Sequence, residues 1–213
     1  MTRTLLLALA LTCAAPPPLV AQEPPPDRAR EEADRRLEDR RLQAAARDLV
    51  ARYLDLIQMK RPQDALALWS FAPLGREVFG GDLFALTSEE RAACVRGLRQ
   101  LLLQAMSDPA AMEYVRQAAL GELEVDRPVG GRVRVCVRLT PPEPADAQPV
   151  LHYLWVELED GKARLVDMAA RSPARRLALQ LAPRWRRVHE LGISDPLAYV
   201  EAMVRRAERL RGQ

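Results

Sequence analysis

The sequence predicts an α+β fold, in which helices come first, an antiparallel sheet of about four strands follows, and two helices end the chain. Three observations predict it. Apolar residues recur at helical spacing from Leu42 to Leu120, strand patterns replace this spacing from Glu122 to Ala170, and helical spacing returns after Pro173. The simplest organisation is a signal peptide (1–21), a charged lead-in (22–41) and a single domain (42–211).

The first 21 residues have the features of a secretory signal peptide. Arg3 supplies a positive start, Leu5 to Ala15 form an apolar stretch, and Ala21 is a small residue at which a signal peptidase could cut. The stretch is shorter than the roughly 20 apolar residues that span a bilayer. Cys13 would suggest a lipoprotein, but Thr12 stands where Gly, Ala or Ser precedes a lipidated cysteine. We therefore expect an exported, soluble protein without a lipid anchor.

The lead-in and the first domain helix differ in their side chains. From Asp27 to Arg41 nearly every residue is charged, and Glu31 with Arg35 forms a favourable i,i+4 pair, which predicts an exposed helix. The domain helix has an apolar face made of Ala46, Leu49, Val50, Tyr53, Leu54 and Ile57. Pro62 is well placed to open a second, shorter helix.

The stretch "VFGGDLFALTSEER" places two glycines just before a strong helix start. Thr87 and Glu90 form a capping box, which predicts a helix from Ser88 to Met106. Paired glycines at a helix start either cradle phosphate or allow a tight turn. A phosphate loop needs free amides at the helix N-terminus, and the capping box already satisfies them. We therefore interpret Gly80–Gly81 as a turn.

The next helix, "AAMEYVRQAAL", is expected to end at Gly121 as its C′ residue. "RVRVCVRL" then alternates strictly, so that its apolar face carries Val133, Val135, Val137 and Leu139. "VLHYLWVEL" is apolar on both faces, which predicts that both faces are covered. Asp160–Gly161 is a hairpin turn signal that leads into "KARLVDMAA".

Signatures of catalysis and of metal binding are largely missing. The sequence has no G-x-S-x-G, H-E-x-x-H, Cys-x-x-Cys or phosphate-loop pattern. His152 and His189 each lack a second ligand at metal spacing, so we expect no metal, no cofactor and no catalytic residue. The net charge of +3 becomes +2 without Arg3, too small to indicate nucleic-acid binding. The basic pI of about 9.0 is compatible with an anionic lipid or an acidic partner.

Two cysteines remain after the signal peptide, Cys94 and Cys136. In an oxidising compartment they could form a disulfide. Each also lies within a predicted regular element, where a free cysteine serves as a small apolar residue. The sequence leaves both possibilities open.

The stretch "VFGGDLFALTSEERAACVRGLRQLLLQAM" resembles the MlaC or toluene-tolerance family of periplasmic phospholipid-binding proteins. That family has an apolar pair and a glycine, a short aromatic-containing link, and a Thr/Ser-x-x-Gln/Glu-Arg helix start. The residues that fall on the family's positions are Gly80, Thr87, Glu90, Arg91, Arg99 and Leu102. At the end of this helix Met106 stands where the family has an aromatic residue.

Two later segments carry the same resemblance. "YLWVEL…DGKARLVDM" is similar to the family's strand pair, with Asp167 and Met168 matching, and "RWRRVHELGISDPLAYVEAM" is similar to its closing helices around Gly192. The resemblance covers about Leu49 to Met203. It implies a periplasmic shuttle that passes phospholipid between an inner-membrane ABC transporter complex and an outer-membrane lipoprotein complex. Our candidates for the cavity lining are Val95, Leu98, Leu102, Val135, Val137, Leu154 and Val156.

A second hypothesis is an exported enzyme or small-ligand binder with the cone fold of nuclear transport factor two. Its polar pocket would contain Asp167 and Tyr153. The two hypotheses differ in what lines the cavity, because a polar pocket needs ionisable groups that point inward whereas a lipid pocket needs almost none.

Overall fold

The computed structural model describes residues 26–107, 109–142 and 148–211. The predicted signal peptide therefore lies outside the described residues. The chain divides between Arg35 and Arg36 into two units, and the described part of the first unit, residues 26–35, is helical. The second unit contains the sheet and all the later helices. Its described side chains before Leu42 are exposed except that of Asp39, whereas Leu42 itself is buried.

Eight helices and one four-stranded sheet occur among the described residues. The helices are α1 (Pro26–Gln58), α2 (Pro62–Leu66), α3 (Phe71–Phe79), α4 (Gly81–Ala85), α5 (Ser88–Met106), α6 (Pro109–Gln117), α7 (Leu177–Glu190) and α8 (Pro196–Arg211). A short 3-10 turn, Pro173–Arg175, precedes α7. The strands are β1 (Ala119–Val125), β2 (Arg132–Thr140), β3 (Val150–Glu159) and β4 (Lys162–Ala170). The predicted α+β class is confirmed.

The sheet is an antiparallel meander in the order β1-β2-β3-β4. Register irregularities interrupt the pairing between Leu120 and Leu123 in β1 and at Val166 of β4, which lies opposite the Trp155–Val156 step of β3. Such bulges bend a sheet and increase its twist. The predicted hairpin turn is present at Asp160–Gly161, where both residues have positive φ.

One face of the sheet packs against the helices. Val133, Val135, Val137 and Leu139 are fully buried, and the arginines between them remain at least partly exposed, as the alternation predicts. The register places Val156, Leu154 and His152 of β3 beside Val133, Val135 and Val137, so that they share the helix-facing side. Tyr153 and Trp155 lie on the opposite face, where Trp155, Val166 and Ala169 form a smaller buried cluster.

The stretch before α5 is more helical than the sequence predicts. Gly80 has φ 56° and separates α3 from α4, so the turn interpretation holds for this glycine. Gly81 is instead the first residue of α4. The capping box of α5 is present, since the Thr87 side chain accepts the Glu90 amide and the Glu90 carboxylate accepts the Thr87 amide. We did not predict α3, in which Phe71, Leu74, Val78 and Phe79 are buried.

The predicted end of α6 is wrong. The helix ends at Gln117, and β1 already begins at Ala119, where it pairs with Thr140. Gly121 is therefore a strand residue rather than a helix cap. A Cβ atom at this position would lie 3.1 Å from the carbonyl oxygen of Arg138, a close approach of the kind that glycine permits between two strands.

Candidate functional site

An apolar cavity lies between the helices and the helix-facing side of the sheet. Its volume is about 230 Å³. Three helices and two strands contribute its walls: Tyr53, Leu54 and Ile57 from α1; Leu102, Ala105 and Met106 from α5; Met112 and Val115 from α6; His152 and Leu154 from β3; and Met168 from β4.

The cavity walls are adaptable as well as apolar. Three of the six methionines in the chain lie here, Met106, Met112 and Met168. Methionine has three rotatable bonds and a polarisable sulfur, so it conforms to partners of varied shape. Met112 and Met168 are only half-buried, whereas Leu54 and Leu154 are buried. The wall thus combines closed and partly accessible positions.

Two polar groups interrupt the apolar lining. Tyr53 is only 4% exposed, and burial raises the pKa of its hydroxyl, which therefore stays protonated. His152 is half-buried, and loss of hydration lowers the pKa of its imidazole from the ordinary 6.5. Because neither Arg, Lys, Asp nor Glu is among the lining residues, the cavity carries no formal charge at neutral pH.

The structure divides the seven predicted lining residues into two groups. Leu102 and Leu154 line the cavity. Leu98, Val135, Val137 and Val156 are buried in the surrounding core instead, and Val95 packs against that core while remaining half-buried. Helical spacing identified the correct face of α5, but the cavity lies at its C-terminal end, where Leu102 is followed by Ala105 and Met106.

Sequence reasoning missed most of the remaining lining. Tyr53, Leu54 and Ile57 were recognised only as the apolar face of the first helix. Met106, Met112 and Met168 gave a usable signal, because methionines that recur among predicted core positions are typical of surfaces that bind variable apolar ligands. Their spread over α5, α6 and β4 hides this signal until the chain is folded.

The pair proposed for a polar pocket lies on the outer face of the sheet, where Asp167 pairs with Trp155 and Tyr153 pairs with Ala169, two residues further along β4. Asp167 is 1% exposed and its carboxylate is enclosed by protein: Oδ2 accepts a 2.7 Å bond from Arg176 Nε, and Oδ1 accepts the Met168 and Ala178 amides. Burial raises its pKa above the ordinary value, against the opposing effect of these donors. The Ala178 amide belongs to the first turn of α7, so Asp167 serves as a cap from a neighbouring strand. Tyr153 lies on β3, and neither residue lines the apolar cavity.

A second, polar cleft lies on the outer face of the sheet around Trp155. Its volume is about 390 Å³, and Arg127, Arg132, Arg134 and Arg176 line it together with Asp126. Most of these arginines are engaged in ion pairs: Arg132 with Glu77 and Glu157, Arg134 with Asp126, and Arg176 with Glu77 and Asp167. These carboxylates offset the positive charge, so the cleft is not a strong anion site.

The cysteines are free thiols on different sides of the sheet. Cys94 on α5 is fully buried in the main core, and burial raises its pKa to about 12, so it is an unreactive core residue. Cys136 belongs to the face of β2 opposite to that core. Within the described ranges, no three His, Cys, Asp or Glu side chains are placed to hold a metal ion. No helix in the same ranges is long and apolar enough to cross a membrane.

The fold is shared with a solved protein. A phospholipid-binding protein from Ralstonia solanacearum, whose structure was determined in complex with a phospholipid, superimposes with a TM-score of 0.60. The two sequences are 14% identical, and the similarity covers 78% of this chain and 98% of the Ralstonia chain. No protein-family model and no curated protein matches the sequence.

Proposed function

We propose that this protein binds phospholipid and holds acyl chains in the cavity between α1, α5, α6 and the sheet. The observation that carries the proposal is the lining itself: nine of its eleven side chains are Leu, Ile, Val, Ala or Met, and none is charged. Each CH₂ group removed from water contributes about 0.8 kcal/mol, so acyl chains need no charged clamp. The fold shared with the Ralstonia protein supports the same function.

The cavity must widen to take a diacyl lipid. Its volume of about 230 Å³ lies below the roughly 300–1,000 Å³ of ordinary small-molecule sites. Helix α6 is the element best suited to move, since it is nine residues long and contributes Met112 and Val115 to the wall. Two long-range hydrogen bonds hold this region, from Tyr114 Oη to the Leu139 carbonyl and from Gln58 Nε2 to the Ala118 carbonyl. In our proposal α6 swings outward while the sheet and α5 stay in place.

The wider role that we propose is transport. The predicted signal peptide would deliver the protein to the periplasm, where it would carry phospholipid between an inner-membrane ABC transporter complex and an outer-membrane lipoprotein complex. A carrier must release its cargo, and a cavity with flexible methionines and no charged clamp suits release as well as uptake. N-terminal sequencing of the exported form should start near Gln22; a retained Met1 in a cytoplasmic fraction would contradict export.

Lipid extraction tests the binding proposal. Purified protein should yield phospholipid on extraction with organic solvent, and native mass spectrometry should show a bound mass that is lost on denaturation. Protein stripped of lipid should take up phospholipid from vesicles. If the stripped protein takes up none, the binding proposal is wrong.

A further inference from the structure

Two polar side chains line an otherwise apolar cavity. Tyr53 belongs to α1, and His152 belongs to β3, on the wall formed by the sheet. In an apolar pocket, a small number of polar groups orients the ligand and provides specificity. These two residues are therefore the ones that could select among lipids, a task that the surrounding Leu, Val and Met side chains cannot perform.

Their hydrogen-bonding capacity is unused by the protein. Elsewhere in the fold such groups find partners: Tyr114 Oη donates to the Leu139 carbonyl, and Trp185 Nε1 donates to Asp82. Neither the Tyr53 hydroxyl nor the His152 ring forms a hydrogen bond with any residue in the described part of the chain. Neither group is among the described buried side-chain atoms that lack a partner, Trp69 Nε1, Gln104 Oε1 and Arg116 Nε, so both are open to the cavity and not sealed in protein. Two unpaired polar groups that line one cavity are free to bind a shared ligand.

The chemistry of the pair defines what it can recognise. The Tyr53 hydroxyl stays protonated and offers a donor, because burial raises its pKa. Burial lowers the pKa of His152, so its neutral ring offers one N–H donor and one acceptor at neutral pH. Two neutral donors without a cation suit an uncharged acceptor such as a carbonyl oxygen. They do not suit a phosphate group, whose charge calls for arginine, lysine or a helix N-terminus.

We propose that Tyr53 and His152 bind the ester carbonyl oxygens that join the acyl chains of a phospholipid to its glycerol. This inference rests on the proposed function and deepens it, since it makes the acyl ester, and not the head group, the recognised polar feature. His152 is half-buried whereas Leu154, two residues further along the same face of β3, is 2% exposed. The esters would thus bind beside the partly accessible His152, with the chains deeper in the cavity and the phosphate outside.

A comparison of ester and ether lipids tests the inference. The probe lipids are a diacyl phosphatidylcholine and its di-O-alkyl analogue, which has the same head group and chain length but no carbonyls. Each competes with a pyrene-labelled phospholipid for the protein stripped of lipid. A hydrogen bond between neutral groups changes affinity by about threefold to tenfold, so the wild type should prefer the ester lipid by about that factor.

Two variants and a control test which residues cause the preference for the ester lipid. Tyr53→Phe and His152→Leu should each reduce the preference for the ester, measured as the ratio of the affinities for the ester and the ether lipid. Tyr153→Phe removes a hydroxyl from the opposite face of β3 and should keep the full preference. Circular dichroism confirms that each variant is folded, and the Tyr53→Phe ring can still pack edge-on against Trp69.

The outcomes separate this inference from the binding proposal. A wild type that binds both lipids equally, or variants that keep the preference, would overturn the role of Tyr53 and His152 and leave lipid binding intact. Failure to bind either lipid would overturn both. A free fatty acid also carries an acyl carbonyl, so a fatty acid of equal chain length is the third competitor. If the variants weaken binding of the acid only, the recognised group is a free carboxyl and the ester assignment is wrong.

Discussion

Asp167 and Arg176 form the ion pair that joins the sheet to α7. Arg176 Nε lies 2.7 Å from Asp167 Oδ2, and the same guanidinium binds Glu77 through Nη2 at 2.6 Å and lies over the ring of Trp155. The Asp167 side chain is 1% exposed and that of Arg176 20% exposed. The carboxylate that the second hypothesis placed in a polar pocket is thus a structural link between β4 and the following helix.

Loss of this pair should destabilise the fold. Arg176→Ala would leave the buried Asp167 carboxylate without its cation, and removal of one partner of a largely buried pair costs about 2 kcal/mol or more. Urea unfolding measures the loss. Arg175→Ala is the matched control, since the Arg175 side chain is exposed and forms no ion pair with any residue of the described ranges. Equal stability of the two variants would contradict the structural role of the pair.

Filling the cavity should abolish lipid binding without unfolding the protein. Met168→Trp places an indole where the half-buried methionine lines the cavity. Because this space is not closely packed, the free energy of unfolding of the lipid-free variant should change little. Native mass spectrometry after incubation with phospholipid vesicles should show much less bound lipid than in the wild type. Full binding by this variant would contradict the proposed location of the acyl chains.

Val135→Trp provides the contrast. Val135 is fully buried on the same face of the sheet but is not among the cavity lining. Extra bulk in a packed core typically costs about 1–3 kcal/mol, and this substitution is larger than most. Thermal unfolding of lipid-free samples should therefore show a marked loss for Val135→Trp and little for Met168→Trp. Lipid-free samples are needed because bound lipid itself raises the midpoint.

Helix α8 packs closely against α5 where Gly97 meets Val200. A Cβ atom at Gly97 would lie 2.3 Å from Val200 Cγ1 and 3.5 Å from Val200 Cβ. Gly97→Ala alone should therefore destabilise the protein by about 1–3 kcal/mol. In the Gly97→Ala, Val200→Ala double variant the colliding methyl group is gone, so the loss should be smaller than the sum of the single losses. Urea unfolding of the wild type, the two single variants and the double variant measures these losses. Strictly additive losses would show that Gly97 and Val200 do not interact.

Acid should weaken the fold through His152. Its folded pKa is lower than the unfolded value of about 6.5, so between the two the unfolded state binds more protons. Stability from the neutral ring is therefore present above about pH 6.5 and is lost as the pH falls toward the folded pKa. Unfolding of the wild type and of His152→Leu from about pH 7 to about pH 5 should show the wild type losing more stability. Both proteins keep His189, so a difference between them reports on His152. Equal loss of stability with falling pH in the two proteins would contradict this prediction.

Much of the fold follows from local signals. The Thr87–Glu90 box sets the start of α5, the alternation around Val135 sets the buried face of β2, and Asp160–Gly161 sets the turn before β4. Helix α3 was not predictable from local signals, because proline and glycine usually interrupt helices. Here Pro73 and Gly75 lie within the helix, and tertiary packing buries both. The start of β1 was missed for a related reason: Ala119 and Leu120 continue a helical pattern but pair with β2.

The candidate site was predictable only in part. Periodicity identifies which side of α5 or β3 faces inward, and Leu102 and Leu154 were found in this way. It does not show where along an element the packed core gives way to a cavity. Leu98 belongs to the same helix face as Leu102, but it packs toward α3. A Cβ atom added at Gly75 of α3 would lie 3.7 Å from Leu98 Cδ1. That boundary depends on how far α6 stands from the sheet, which no single stretch of sequence encodes.

Cross-linking with a photoactivatable phospholipid tests the central claim most directly, because it locates the acyl chain. The probe carries a diazirine at the end of one acyl chain and is loaded into the lipid-free protein before irradiation. We predict cross-links in peptides that contain Leu102 to Met106, Met112 to Val115, Leu154 or Met168, all competed by unlabelled phospholipid. Cross-links confined to the outer face of the sheet around Trp155, or none above a lipid-free background, would contradict an acyl-chain cavity between the helices and the sheet.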